Sequence, residues 1–140
     1  MNIRFYTNKL TADEFNGLRE SVGWGGILKI QVEKALECDL YDVVAMDDDA
    51  IVGMGRLVGD GSMYWYIQDV IVLPTYQGNG IGKTIVKMLN DYVYSNTIEN
   101  TTTTVALMAA KGKEDFYKKF EFIERPTEVL GAGMIRKIRK

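Results

Sequence analysis

The chain has 140 residues, 17 Lys and Arg against 19 Asp and Glu, one Cys and no His. The length suits one domain with its own core, and the near-balanced charge gives no pull toward nucleic acid or an anionic membrane. A lone Cys38 excludes an intramolecular disulfide, and the missing His excludes Ser-His-Asp and Cys-His catalysis, HExxH hydrolases and most zinc or iron centres. In chain order, 3–6 reads as a short strand. Thr11 followed by Asp13 and Glu14 reads as a capped helix start, with Phe15, Leu18 and Val22 on its apolar face. Trp24-Gly25-Gly26 breaks that helix, and a second runs from 27 to about 37. A strand over 41–46 turns at Asp47-Asp48-Asp49, a solvated hairpin and not a metal site, into strands over 51–58 and 64–73 joined through Asp60-Gly61.

A glycine-rich turn follows, and then a helix whose apolar face is Ile81, Ile85, Met88, Leu89 and Tyr92. Residues 103–108 are β-branched and apolar and predict a buried strand. A short helix over 114–120, a strand over 122–125 and a last strand over 131–138 complete the chain. The sequence shows no repeat, low-complexity tract or linker, so residues 1–140 read as a single domain with a mixed α/β sheet. No stretch approaches the ~20 apolar residues of a membrane span, and the first residues lack the apolar core of a signal peptide. A cytoplasmic location without membrane or nucleic-acid partners is the expectation.

The segment from Asp69 to Lys83 carries the chemistry. A strand ends, Gly78, Gly80 and Gly82 turn the chain, and a helix begins. Glycines admit positive φ, and the first amides of a helix are unpaired at the positive end of its dipole, an arrangement suited to phosphate. Gly82-Lys83-Thr84 imitates the end of a Walker A loop, but Gln77 stands where that loop needs its first Gly. A dinucleotide fingerprint fails because Lys83 occupies the place of its third Gly.

Gln77-Gly78-Asn79-Gly80-Ile81-Gly82 instead fits Q/R-x-x-G-x-G/A, the signature of the GNAT superfamily of acetyl-CoA-dependent N-acetyltransferases, which this sequence resembles. The preceding Asp69-Val70-Ile71-Val72-Leu73-Pro74 and the later Phe116-Tyr117-Lys118-Lys119-Phe120-Glu121-Phe122 also resemble family segments, the second written F-Y-x-x-x-G-F. Glu121 replaces a frequent Gly there, and Lys111 stands where relatives often carry a cofactor-contacting Asn.

The resemblance implies a mostly antiparallel sheet with one splayed parallel strand pair, the cofactor entering the splay, and direct acetyl transfer from acetyl-CoA to a primary amine of a small molecule or peptide in a ternary complex. It assigns pantetheine contacts to the backbone of Ile71, Val72 and Leu73, and pyrophosphate contacts to Gln77, Gly78, Asn79, Gly80, Ile81, Gly82 and Lys83. It gives Tyr117 the part of general acid toward the coenzyme sulfur; the bland reading is aromatic packing with Phe116 and Phe120. Asp69 is the acid beside the expected acetyl group, as a proton acceptor or a buried structural partner, since Gln68 stands where some relatives have Glu. Trp24, Tyr66 and Gln68 are candidate acceptor contacts, the aromatics alternatively being sheet core. Strict alternation sets Tyr64, Tyr66 and Gln68 on one face and Trp65 with Asp69 on the other. A non-catalytic CoA-binding module of the same fold is the second reading. No metal is expected, and a homodimer stays open.

Overall fold

The computed structural model describes residues 1–140, which form two compact units, Met1–Leu107 and Met108–Lys140. In the first unit β1 (Ile3–Thr7), β2 (Tyr41–Asp47), β3 (Ala50–Gly59), β4 (Tyr64–Val72) and β5 (Thr104–Ala106) form one sheet in that order. The first three junctions are antiparallel and β4–β5 is parallel. Helices α1 (Ala12–Ser21) and α2 (Lys29–Cys38) lie on one face and α3 (Ile81–Asn96) on the other. No helix is long and apolar enough to cross a membrane.

Local signals were obeyed where short-range chemistry decides. The Thr11 hydroxyl accepts from the Glu14 amide at 3.2 Å while the Glu14 carboxylate accepts from the Thr11 amide at 3.0 Å, the reciprocal cap its sequence foretells. Asp60 closes the β3–β4 turn by accepting from the amides of Ser62, Met63 and Tyr64. Leu10, Ala12, Phe15, Leu18 and Val32 pack onto Val44, Met54 and Ile71 of the sheet. On the opposite face Ile81, Ile85 and Leu89 of α3 are buried. Gly55 of β3 makes that approach close, since a Cβ there would stand 2.6 Å from Ile85 and 3.1 Å from Leu89.

The strand expected over 103–108 is shorter, Thr104–Ala106, and only its Val105 is shielded. It is an edge strand, with one neighbour to bury it.

The second unit contains α4 (Glu114–Lys118) and an aromatic cluster in which Phe116 meets Tyr117 and Phe120 edge-on, and Tyr117 meets Phe122. The strands expected over 122–125 and 131–138 do not form. Neither segment has a backbone partner in the sheet, and β-propensity without a ladder does not hold an extended segment. Ile123, Met134, Ile135 and Ile138 are accordingly exposed. Glu121, at the place the motif gives to Gly, adopts φ 69°, the left-handed conformation that Gly takes without strain.

Candidate active site

Strand β4 outruns its parallel neighbour. The ladder pairs Tyr64 with Thr104, Trp65 with Val105 and Tyr66 with Ala106, and stops there, while β4 continues to Val72. The second half of β4 therefore has an open edge. Along it the Leu73 amide is engaged by Val52 across the sheet at 2.8 Å. Successive strand amides point to opposite edges, so Val72 faces the open side. Its carbonyl already accepts from the Gln77 side chain at 3.0 Å, which leaves its N–H for an incoming extended group. Of the three residues expected to meet pantetheine through their backbone, Val72 turns its N–H to the open edge, Leu73 donates across the sheet, and the Ile71 side chain belongs to the core.

The glycine turn stands directly beyond that edge. Residues 74–76 form a single 3-10 turn, Gly78 and Gly80 hold φ 81° and 79°, and Gly80 caps α3. The first helical amide to find an intrachain partner is that of Thr84, which donates to the Gly80 carbonyl at 3.0 Å. The amides of Ile81, Gly82 and Lys83 precede it and point out of the helix end. A Cβ built on Gly78 or Gly80 would meet nothing within 4 Å, so the turn is open to a ligand lying against its backbone.

The turn's shape is held by neighbours. Gln77 reaches back to Val72, and the Asn79 amide donates to the carbonyls of Tyr76 at 3.1 Å and Gln77 at 3.4 Å. The Tyr76 hydroxyl donates to Asp47 at 2.8 Å. Ile81 contributes a buried side chain and Lys83 an exposed one. These residues fit a phosphate-bearing group, because unpaired amides at a helix start offer donors and positive potential together.

In the middle of β4 the register against β3 shifts: Met54 pairs with Ile71 but Arg56 with Gln68, an extra residue on β4. This β-bulge, with Asp69 at φ 56°, overturns strict alternation. Trp65 lies edge-on to Tyr92 of α3, 6.0 Å between centroids, whereas Asp69 reaches arginines on the α1 side. Asp69 and Trp65 therefore occupy opposite faces, and Asp69 shares its face with Gln68, the partner of Arg56.

Asp69 is buried and both its oxygens are taken. Arg19 of α1 donates to Oδ1 at 3.3 Å and Arg56 of β3 to Oδ2 at 3.0 Å. Arg56 also pairs with Asp39 at 3.1 Å and donates to the Ala35 carbonyl at 3.3 Å, and its guanidinium lies 5.7 Å from the Phe15 ring centroid. The result is an alternating row, Asp39–Arg56–Asp69–Arg19, with no net charge. Burial pushes the Asp39 carboxyl up, against the pull of Arg56. Two guanidiniums occupy both carboxylate oxygens of Asp69, which is the geometry of an anchor.

The remaining candidates have distinct settings. Trp24 is 43% exposed in the α1–α2 loop. Tyr66 is half-buried, its hydroxyl pushed up by burial, and Gln68 is exposed. Tyr117, within the second unit, is half-buried and its hydroxyl is likewise pushed up by burial, so it keeps its proton at neutral pH. Sequence reasoning missed Arg19, Arg56 and Asp39. A trace of them was present: Arg19 follows Phe15 by one helical turn on the apolar side, and Arg56 interrupts an apolar strand.

Residues 27–136 match the family model for the acetyltransferase (GNAT) domain. An uncharacterized N-acetyltransferase, ycf52, of Porphyra purpurea is 27% identical over 129 residues, covering 89% of this chain and 72% of its own. A probable acetyltransferase of unknown function from meticillin-resistant Staphylococcus aureus superposes with a TM-score of 0.86 at 31% identity, over 97% of this chain and 99% of that one. The fold is also that of AAC(6')-Iy, whose structure holds the bisubstrate analogue CoA-S-monomethyl-acetylneamine, with a TM-score of 0.70 at 14% identity over 100% of both chains.

Proposed function

Because the chain belongs to the GNAT family of acetyltransferases, we propose that it transfers acetyl directly from acetyl-CoA to a primary amine of a small molecule or peptide, with residues 1–140 as one acetyltransferase domain. The observation that carries this reading is the open half of β4, from the end of its ladder at Tyr66 to Val72, leading into the unpaired amides of the glycine turn. Acetyl-CoA supplies the activated acyl group. The amides from Gly78 to Lys83 take its pyrophosphate, and the Val72 amide takes its extended arm as an added strand would be taken. The CoA-linked analogue held by AAC(6')-Iy supports the choice of ligand.

The amine must be neutral to attack. For an ordinary lysine-like amine of pKa about 10.4, that costs roughly 4.6 kcal/mol at pH 7. Asp69, held by two arginines, orders the bulge instead of removing this proton, which leaves through water beside Gln68. Tyr117 holds a proton on Oη at neutral pH and donates it to the leaving group. Trp24 and Tyr66 offer aromatic surface to an apolar or aromatic amine.

Acetyl-CoA at millimolar concentration should raise the melting temperature and support transfer to at least one of spermidine, 2-phenylethylamine, kanamycin, lysine or a short peptide. No thermal shift would remove the reading; a shift without transfer to a wider amine panel would mark a CoA-binding module of the same fold. Tyr117→Phe should lower kcat about 100-fold or more, with acetyl-CoA KM nearly unchanged. An unchanged kcat would return Tyr117 to aromatic packing.

A further inference from the structure

We propose that Arg19 is a positioning residue for acceptor recognition, docking the Trp24 loop onto the β4 bulge through a single guanidinium. The inference rests on the reading of Trp24 and the bulge as acceptor surface. Between α1 and α2 the chain passes through Gly23 and Gly25, both at positive φ, a stretch with little backbone preference of its own. Two side chains of α1 tie it down. Asn16 exchanges hydrogen bonds with the backbone of Ile27, 2.8 Å in each direction, and so fixes the far end. Arg19 fixes the tip: Nε donates to the Gly25 carbonyl at 3.0 Å and Nη2 to the Trp24 carbonyl at 3.3 Å.

The same guanidinium lies 5.6 Å from the Trp24 ring centroid and donates through Nη1 to Asp69, fifty positions away in the chain. Arg19 therefore joins the tip of this loop to the sheet by hydrogen bonds, beside the packing of Val22 and Ile27 against the core. Asn16 holds the loop only to its own helix. The planar fork of Arg reaches three acceptors in different directions at once; the single ammonium of Lys does not.

Arg19→Lys keeps the charge opposite Asp69 and removes the fork. The variant is expected to fold, to bind acetyl-CoA within about twofold of the parent, and to lose at least tenfold in amide-exchange protection over residues 22–28. The KM for the acetylated amine of the panel should rise about tenfold or more, with kcat changed less. Trp24→Ala should raise the same KM, and the double variant should be no worse than either alone. Asn16→Ala, which frees Ile27 but leaves the Asp69 link, should change KM less than Arg19→Lys does.

Wild-type exchange over 22–28 in Arg19→Lys would overturn the proposal, as would a loosened loop with unchanged amine KM, or effects of Arg19→Lys and Trp24→Ala that multiply. Should Arg19→Lys not fold, Arg19→Gln with Asp69→Asn removes the pair in balance and is read in the same way. If the parent acetylates no amine of the panel, the functional reading fails, while the exchange measurement still decides whether Arg19 holds the loop.

Discussion

The two ends of the open half of β4 solve their problems by different means. At the Val72 end the candidate binding groups are backbone amides, placed by glycines at positive φ and by a helix start. At the Asp69 end they are charged side chains from α1, β3, β4 and the residue that follows α2, converging on a bulge. The first arrangement is local, within a few residues of chain, and tolerates any side chain that leaves the backbone exposed. The second is assembled over long separations in sequence, and every member depends on the others for its charge balance. Backbone sites are thus cheap to specify and side-chain rows are costly to break.

The largest effect should come from the row. Arg56→Met fills the space with an apolar chain but leaves Asp39 and Asp69 buried without their shared partner. Removing one member of a buried ion pair typically costs about 3–5 kcal/mol, so the urea midpoint should fall sharply. A loss below about 1 kcal/mol would mean that water or Arg19 already satisfies these carboxylates. At the other end, Gly78→Ala adds one methyl where no protein atom stands within 4 Å. Left-handed strain of roughly 1–2 kcal/mol is expected in stability. The separate expectation is a fall of about tenfold or more in acetyl-CoA affinity, equivalent to roughly 1.4 kcal/mol, because the ligand must lie against that backbone. Strain without weaker binding would remove Gly78 from the cofactor site.

Glu121 isolates the backbone half of this contrast, away from both ends. It adopts φ 69° without being a glycine. Glu121→Gly should relieve the strain and stabilise the protein by about 0.5–1 kcal/mol, after allowance for the freer unfolded chain. Thermal unfolding checks it, and a destabilised variant would show that the Glu side chain itself holds the turn.

What the sequence made legible follows the same division. The Thr11 cap, the Asp60 turn and the glycine turn are written in neighbouring residues and formed as read, while α3 buries Ile81, Ile85 and Leu89 of its expected face together with Val86 and Val93, leaving Met88 and Tyr92 only partly covered. The family resemblance was likewise carried by contiguous motifs. The bulge was not legible: a single extra residue in β4 is visible only against the register of β3, and it moved Asp69 to the face opposite Trp65. Arg19 was read past because its partner lies in another element, across |i−j| = 50. The strands over 122–125 and 131–138 carried the right composition, but a strand is defined by its partner, and neither has one in the sheet.

A second buried carboxylate allows the contrast to be tested with one atom type. Asp42 of β2 is held not by arginines but by backbone amides, those of Lys9 at 3.1 Å and Leu10 at 3.2 Å. Burial pushes its carboxyl above the usual range, and the two amides, with a weaker pull from the charge of Arg56, act the other way without cancelling the shift. A folded pKa above the unfolded one means that the folded chain binds more protons between the two values. The associated stability is full below the unfolded pKa of about 3.9 and is lost as pH rises through the raised folded value. Asp42→Asn keeps an acceptor for the amides and does not titrate. It should therefore lie within about 1 kcal/mol of the parent at pH 7, and gain on the parent as pH rises from below 4 to 7, in urea midpoints taken across that range. Asp69→Asn, by contrast, removes the negative charge between two guanidiniums and should be clearly destabilised throughout neutral pH. If the parent instead gained on Asp42→Asn as pH rose, amide bonds with only a weaker pull from Arg56 would be enough to favour a buried charge, and the need for two arginines at Asp69 would have to come from the α1–α2 loop that Arg19 contacts, not from burial.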